Sequence, residues 1–254
     1  MTVFIAQRGL ATFLLLSLLV ATTFSTRAQT GEDQELETAL RLASLLREAR
    51  AVIGSYQDVI NDPTGKDKGL TGDFVLGIAR DRYIEANSVP PLYDGQNPRE
   101  AELIMAQMTA IREVMEDNQT TINSEGIAFK GFVPAVFGRL VNERFYQLVG
   151  DQAVIKVTAP PELVRNRKAR PDAWEAGIIS DLLMSEDWPK NDIFAAEAPF
   201  DNQPAFRVLV PEYYSAGCIS CHGGPEGDID VTGYPKEGGK VGDLGGVISI
   251  SLMR

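Results

Sequence analysis

Along the first half of the chain, apolar residues recur every three to four positions. Leu36, Leu40, Leu42, Leu45, Leu46, Ala49, Val52 and Ile53 fall on one stripe and predict an amphipathic helix over 35–60. Asn61-Asp62-Pro63 ends it. The same spacing predicts helices over 72–86, over 98–123, and from Pro134 to near Gly150. Pro90, Pro91 and Asn97-Pro98 mark the loop between the second and third. At a constant offset of 62, Arg50 matches Arg112, Val52 matches Val114 and Gln57 matches Gln119. Ile60-Asn61, Lys68-Gly69 and Arg82 recur as Ile122-Asn123, Lys130-Gly131 and Arg144, and no gap is needed across 50–83 and 112–145. Two copies are too few for a solenoid. They predict a duplicated helix hairpin packed on itself, with two long helices standing side by side as the alternative.

The pattern then changes to short alternating runs. Ala153 to Thr158 is β-branched and strand-like, and Pro160-Pro161 breaks it. Pro171-Asp172-Ala173-Trp174-Glu175 reads as a helix start with Asp172 as the cap, leading to a helix ending near Ser185. Ile193 to Glu197 and Ala205 to Val210 read as strands joined by a turn at Asp201-Asn202, and Gly245 to Leu252 as a terminal strand. Helices followed by an antiparallel sheet make the fold class α+β. The expected division is 29–150 for the helical part and 151–254 for the sheet and the loop it carries.

Composition narrows the function. The 254 residues carry 24 Lys+Arg against 35 Asp+Glu, a net charge of −11, so no nucleic-acid partner is expected. Residues 1–28 have the layout of a secretory signal peptide: Arg8, an apolar run from Leu10 to Phe24, then Ser25-Thr26-Arg27-Ala28. The run is short for a membrane span. Cleavage is therefore expected over a retained anchor, giving a periplasmic or secreted product with no stable membrane insertion.

The whole chain has two cysteines and one histidine, and all three lie in Cys218-Ile219-Ser220-Cys221-His222. Cys-x-x-Cys-His is the attachment sequence of c-type haem. Each thiol forms a thioether with one haem vinyl, and the adjacent imidazole reaches one axial face of the iron. One covalent haem c per chain is expected, with Cys218 and Cys221 as attachment points and His222 as proximal iron ligand. The competing readings are a redox dithiol, half a zinc site and a simple CxxC disulfide. The first lacks a thioredoxin-like context, and the second lacks further ligands. With a single histidine, bis-His ligation within one chain is excluded, so the sixth ligand is another side chain, water or nothing. Met105, Met108, Met115, Met184 and Met253 are available, although methionine at helical spacing more often fills a core. Arg165, Arg167 and Arg170 form a basic cluster in an acidic chain. They are candidates for the haem propionates, with a solvated loop as the plainer reading.

Taken together, Arg165-Asn166, Pro171-Asp172-x-Trp174-Glu175, Pro204-Ala205-Phe206, Tyr213-Tyr214, the haem motif with Gly223, and Gly242-Asp243-Leu244-Gly245-Gly246 resemble a domain-of-unknown-function family. Its members are PAS-like single-haem c-type proteins of cyanobacteria and haem c sensor domains of bacterial signalling proteins. The resemblance covers about 35–254 and is sharpest over 112–254. It implies a PAS-like antiparallel sheet with an N-terminal helical part, and haem c on Cys218 and Cys221 with His222 proximal. A member can use a helix-borne cysteine as sixth ligand, and this sequence has no third cysteine. The matching helix region offers Met115 as its only usual haem ligand, so either Met115 serves or the distal site is weakly held or open.

The expected function is redox or ligand sensing, with a diatomic gas as the candidate ligand. A simple one-electron carrier is the alternative, and a non-haem structural or binding protein with a CxxC disulfide is a second. The sequence ends two residues beyond the last predicted strand, so a sensor's output is expected on a separate signalling or redox partner protein. No enzyme is expected, because the single histidine is committed and no carboxylate pair is located. Lys236-Glu237-Gly238-Gly239-Lys240 lacks the ending of a phosphate loop and reads as an ordinary loop.

Overall fold

A computed structural model describes residues 31–254. The targeting segment read at 1–28 lies outside the described residues. The first helical hairpin is α1 (Gly31–Ser55), α2 (Gln57–Ile60) and α3 (Gly72–Asn87). The second is α4 (Pro98–Asp117), α5 (Gln119–Ile122) and α6 (Pro134–Val149). Neither long helix runs unbroken as its periodicity predicts: one breaks at Tyr56, the other at Asn118. The physical cause is the same in both. Gln57 Nε2 donates to the Ile53 carbonyl at 3.1 Å and to the Phe132 carbonyl at 3.0 Å. Gln119 Nε2 donates to the Met115 and Leu70 carbonyls, both at 2.9 Å. Each glutamine bonds a carbonyl of the helix before the break and reaches the opposite hairpin with the same amide. The backbone N–H groups of Lys68 and Lys130 donate reciprocally to Asn123 and Asn61, at 3.0 and 3.1 Å. Every partner sits 62 residues from its counterpart, so an approximate twofold relates the hairpins. Leu42, Leu45, Leu46, Leu103, Ile104, Ile111, Phe137 and Phe145 fill the space between them and are fully buried.

The sheet is antiparallel throughout, in the order β1-β4-β3-β2, with β1 Ala153–Thr158, β2 Phe194–Glu197, β3 Ala205–Tyr213 and β4 Leu244–Met253. The fold is α+β. Side-chain alternation divides the sheet. Ile155, Val208, Val210, Ile248, Ile250 and Leu252 face the helical core, against α1 and α6. Leu209 and Val247 face a second, smaller core with Trp174, Trp188, Ile179 and Leu183. The β2–β3 hairpin turns at Asp201 and Asn202, which both take positive φ, as a two-residue primed turn requires. Helix α7 (Ala173–Ile178) starts with a capping box between Asp172 and Glu175 and continues into a π-helical turn, Ile179–Leu183.

The haem-motif loop leaves the sheet where β3 ends in a bulge at Glu212/Tyr213, and it returns at Leu244. Two backbone bonds clamp its base: Tyr214 N–H to the Asp243 carbonyl (2.9 Å) and Gly242 N–H to the Tyr214 carbonyl (2.8 Å). Glu212 ties this base to α1 by accepting from Arg50 and, at 3.3 Å, from Arg47. Burial alone would raise the Glu212 carboxyl's pKa, but Arg50 and Arg47 outweigh it and hold it below its ordinary 4.5. A depressed carboxylate stabilises the fold above its unfolded pKa, and that contribution is lost as pH falls through the folded value. We predict that E212Q lowers the unfolding free energy by roughly 1.5–3 kcal/mol at neutral pH. In denaturant titrations, the gap from wild type should close in acid, where wild-type Glu212 is itself protonated. A gap that is constant with pH would show that the ion pair is not its source.

Candidate functional site

The Cys-x-x-Cys-His run folds as a single helical turn, α8 (Ile219–His222), with Cys218 at its N-cap. The Cys221 and His222 N–H groups both donate to the Cys218 carbonyl, at 3.1 and 2.9 Å. Three-residue spacing on a helix puts both sulfurs on one side of the turn. Both thiols are free and half-buried.

His222 is held on three sides. Its ring stacks on Tyr214, with centroids 5.0 Å apart and planes at 23°. Its Nδ1 lies 3.0 Å from Glu237 Oε2 and 3.3 Å from the Tyr214 hydroxyl. Glu237 as a carboxylate can only accept, so Nδ1 carries a proton, and in the neutral imidazole Nε2 is then the nitrogen with the lone pair. Its backbone carbonyl accepts from Gly239 N–H at 2.8 Å. A Cβ at Gly239 or Gly245 would run into the Tyr214 ring, so glycine at both positions is what lets the tyrosine lie against the histidine. Burial, followed by the Glu237 charge, pushes the Tyr214 phenol up to about 12, so it remains a neutral O–H.

Arg165 stands behind this arrangement. It gives Nε and Nη2 to Glu237 at 2.9 and 3.1 Å, Nη1 to Asp230 at 2.5 Å, and Nη2 to the Cys221 carbonyl at 3.0 Å. It also lies 5.4 Å from the centre of the Tyr234 ring. The Asp230 carboxylate is fully enclosed and also accepts from Thr232 and Tyr234 N–H. Burial would raise the Asp230 pKa. The hydrogen bonds from Thr232, Arg165 and the backbone hold it far below the carboxylate range. Arg165 thus pins both ends of the 230–237 segment to the motif.

Of the basic cluster, only Arg165 reaches the motif through a described bond, and its guanidinium is already committed to two carboxylates. Arg167 and Arg170 are exposed. No described contact joins Met115 to His222. Its side chain is fully buried in the helical core, and α4 packs on α3 and α6, whereas α1 and α6 are the helices laid on the sheet. Glu237 and Asp230 were not legible as site residues. Glu237 is one acid in a glycine-rich loop, and only the folded return of that loop brings it to the histidine.

The loop also displays unpaired apolar surface. Ile229, Val241 and Val231 are the three most exposed large apolar side chains among the described residues, at 67%, 65% and 59%. Among those residues, no group of three or more His, Cys, Asp or Glu could cage a metal ion. Two thiols and one imidazole on a single helical turn instead suit an iron brought in by a covalently held macrocycle. No helix among the described residues is long and apolar enough to cross a membrane.

A family model, Tll0287-like, matches residues 94–252, more than half of the chain. No curated protein matches the chain. No solved structure matches it either.

Proposed function

The chain belongs to the Tll0287-like family, and from that premise we propose that it is an exported monohaem c-type protein that senses redox state or a diatomic ligand. In this reading the sheet is a PAS-like platform, and the output passes to a separate partner protein in the periplasm. The observation that carries the proposal is the preparation of His222: Nδ1 is tied to a carboxylate, Nε2 is free, and two free thiols sit on the same helical turn.

When bound, haem c would supply a one-electron iron couple and an iron that can take a further ligand. The chain's own residues do the rest. Cys218 and Cys221 would hold the group, each thiol positioned to form one thioether by adding its S–H across a vinyl C=C. His222 donates its Nε2 lone pair, and Glu237 fixes the tautomer that makes this lone pair available. Tyr214 holds the ring plane. Ile229, Val231 and Val241, on the same loop, leave apolar surface facing water.

Sensing is preferred over simple electron carriage because the strongest second ligands, a further histidine or a third cysteine, are absent from the sequence. The chain has one histidine and no third cysteine, and Met115 is sealed in the helical core. That leaves the distal position to another methionine, such as the exposed Met105 or Met184, or to an exchangeable ligand, and the sensing reading takes the second. The test is an absorption spectrum of the full chain matured with the c-type haem machinery, taken oxidised, reduced, and reduced under CO. A CO-dependent shift is the expected result. A six-coordinate spectrum unmoved by CO would overturn the sensing reading in favour of an electron carrier.

A further inference from the structure

We infer that Arg165 and Glu237 form a relay behind His222 that sets the electron donation of the iron ligand, and with it the reduction potential. The inference deepens the haem reading and rests on it. Glu237 accepts the Nδ1–H of His222 at 3.0 Å. An ionised acceptor draws that proton toward itself and makes Nε2 a stronger donor, which favours the oxidised iron. Arg165 works against this. Its bidentate hold on Glu237, at 2.9 and 3.1 Å, takes up carboxylate lone-pair density that would otherwise strengthen the bond to His222. The Glu237 side chain is 17% exposed and that of Arg165 19%, so water screens the relay weakly. The Tyr214 hydroxyl, at 3.3 Å and neutral, is a weaker alternative partner for Nδ1. Glu237 and Arg165 act through the histidine, so both are positioning residues.

Two variants with opposite expected signs separate this role from a structural one. E237Q keeps an amide oxygen for Nδ1 but removes the charge, so the reduced form should gain. R165K keeps the positive charge but gives up the planar fork, which leaves Glu237 freer to bind the histidine. The oxidised form should then gain. The expected size for E237Q is roughly tenfold in the oxidised-to-reduced ratio, set at the lower end of what losing such an outer partner does to metal affinity. That is a rise of about 59 mV in a one-electron couple. R165K should move the potential downward by less.

The measurement is a spectroelectrochemical titration of wild type, E237Q and R165K at one pH, with covalent haem per chain measured on each. Opposite shifts support the relay. Shifts of the same sign, or none, in chains that carry haem would overturn it while leaving the haem reading intact. Wild-type protein without haem would overturn both. Should E237Q fail to accumulate, the R165K titration decides, because an unchanged or raised potential there contradicts the relay.

Discussion

Replacing Arg207 by methionine is expected to lower the unfolding free energy by about 3–5 kcal/mol, as breaking a buried ion pair from one side does. Arg207 lies on β3 with its side chain 1% exposed. It donates to Asp172 at 2.6 Å, lies 3.4 Å from Glu175, and gives Nη1 to the Pro199 carbonyl at 3.3 Å. Its guanidinium also rests 4.2 Å from the centre of the Trp174 ring. Glu175 is equally enclosed and keeps only Lys156 as a further cation, at 2.6 Å. Removing Arg207 leaves the Glu175 charge under-compensated and loosens the cap on α7. Equilibrium denaturation of R207M, E175Q and the double variant checks this. The double variant should lose clearly less than the sum of the singles, because the second change removes the stranded charge. Additive losses would place the effect in packing alone.

Changing both motif cysteines to alanine is expected to abolish covalent haem attachment completely. Each thiol can form one thioether, so either single variant should retain haem through the remaining bond. Acid extraction after denaturation checks the series: the haem should be fully extractable from C218A/C221A and retained by each single variant. Neither thiol carries a structural disulfide, so the fold of the double variant should persist. Haem retained by the double variant would contradict attachment at this motif.

These cases show what the chain's pattern made legible. The elements themselves were readable, because helical stripes such as Leu42, Leu45, Leu46 and alternating runs such as Val208, Leu209, Val210 follow from which face must be buried. The Pro171-Asp172-x-Trp174-Glu175 run could be read as a capped helix start, but not as the receptor of Arg207. That pairing spans 35 residues and depends on the register of β3. The breaks at Tyr56 and Asn118 were invisible to periodicity, since they arise from glutamine side chains bonding across to the other hairpin. At the site, Cys218, Cys221 and His222 were legible because adjacent residues carry their chemistry. Glu237, 15 residues past the histidine, was not, because its role comes from a loop doubling back. Met115 stood out by residue type and motif position. In the fold it is enclosed in the helical core.

The most direct test is the intact mass of the full chain, expressed with the c-type haem machinery and measured after denaturation. Absorbance should be recorded on the same denatured chain. A mass increased by one haem, with the colour travelling with the unfolded polypeptide, is the predicted result. A colourless chain at its polypeptide mass would contradict the haem reading built on Cys218, Cys221 and His222.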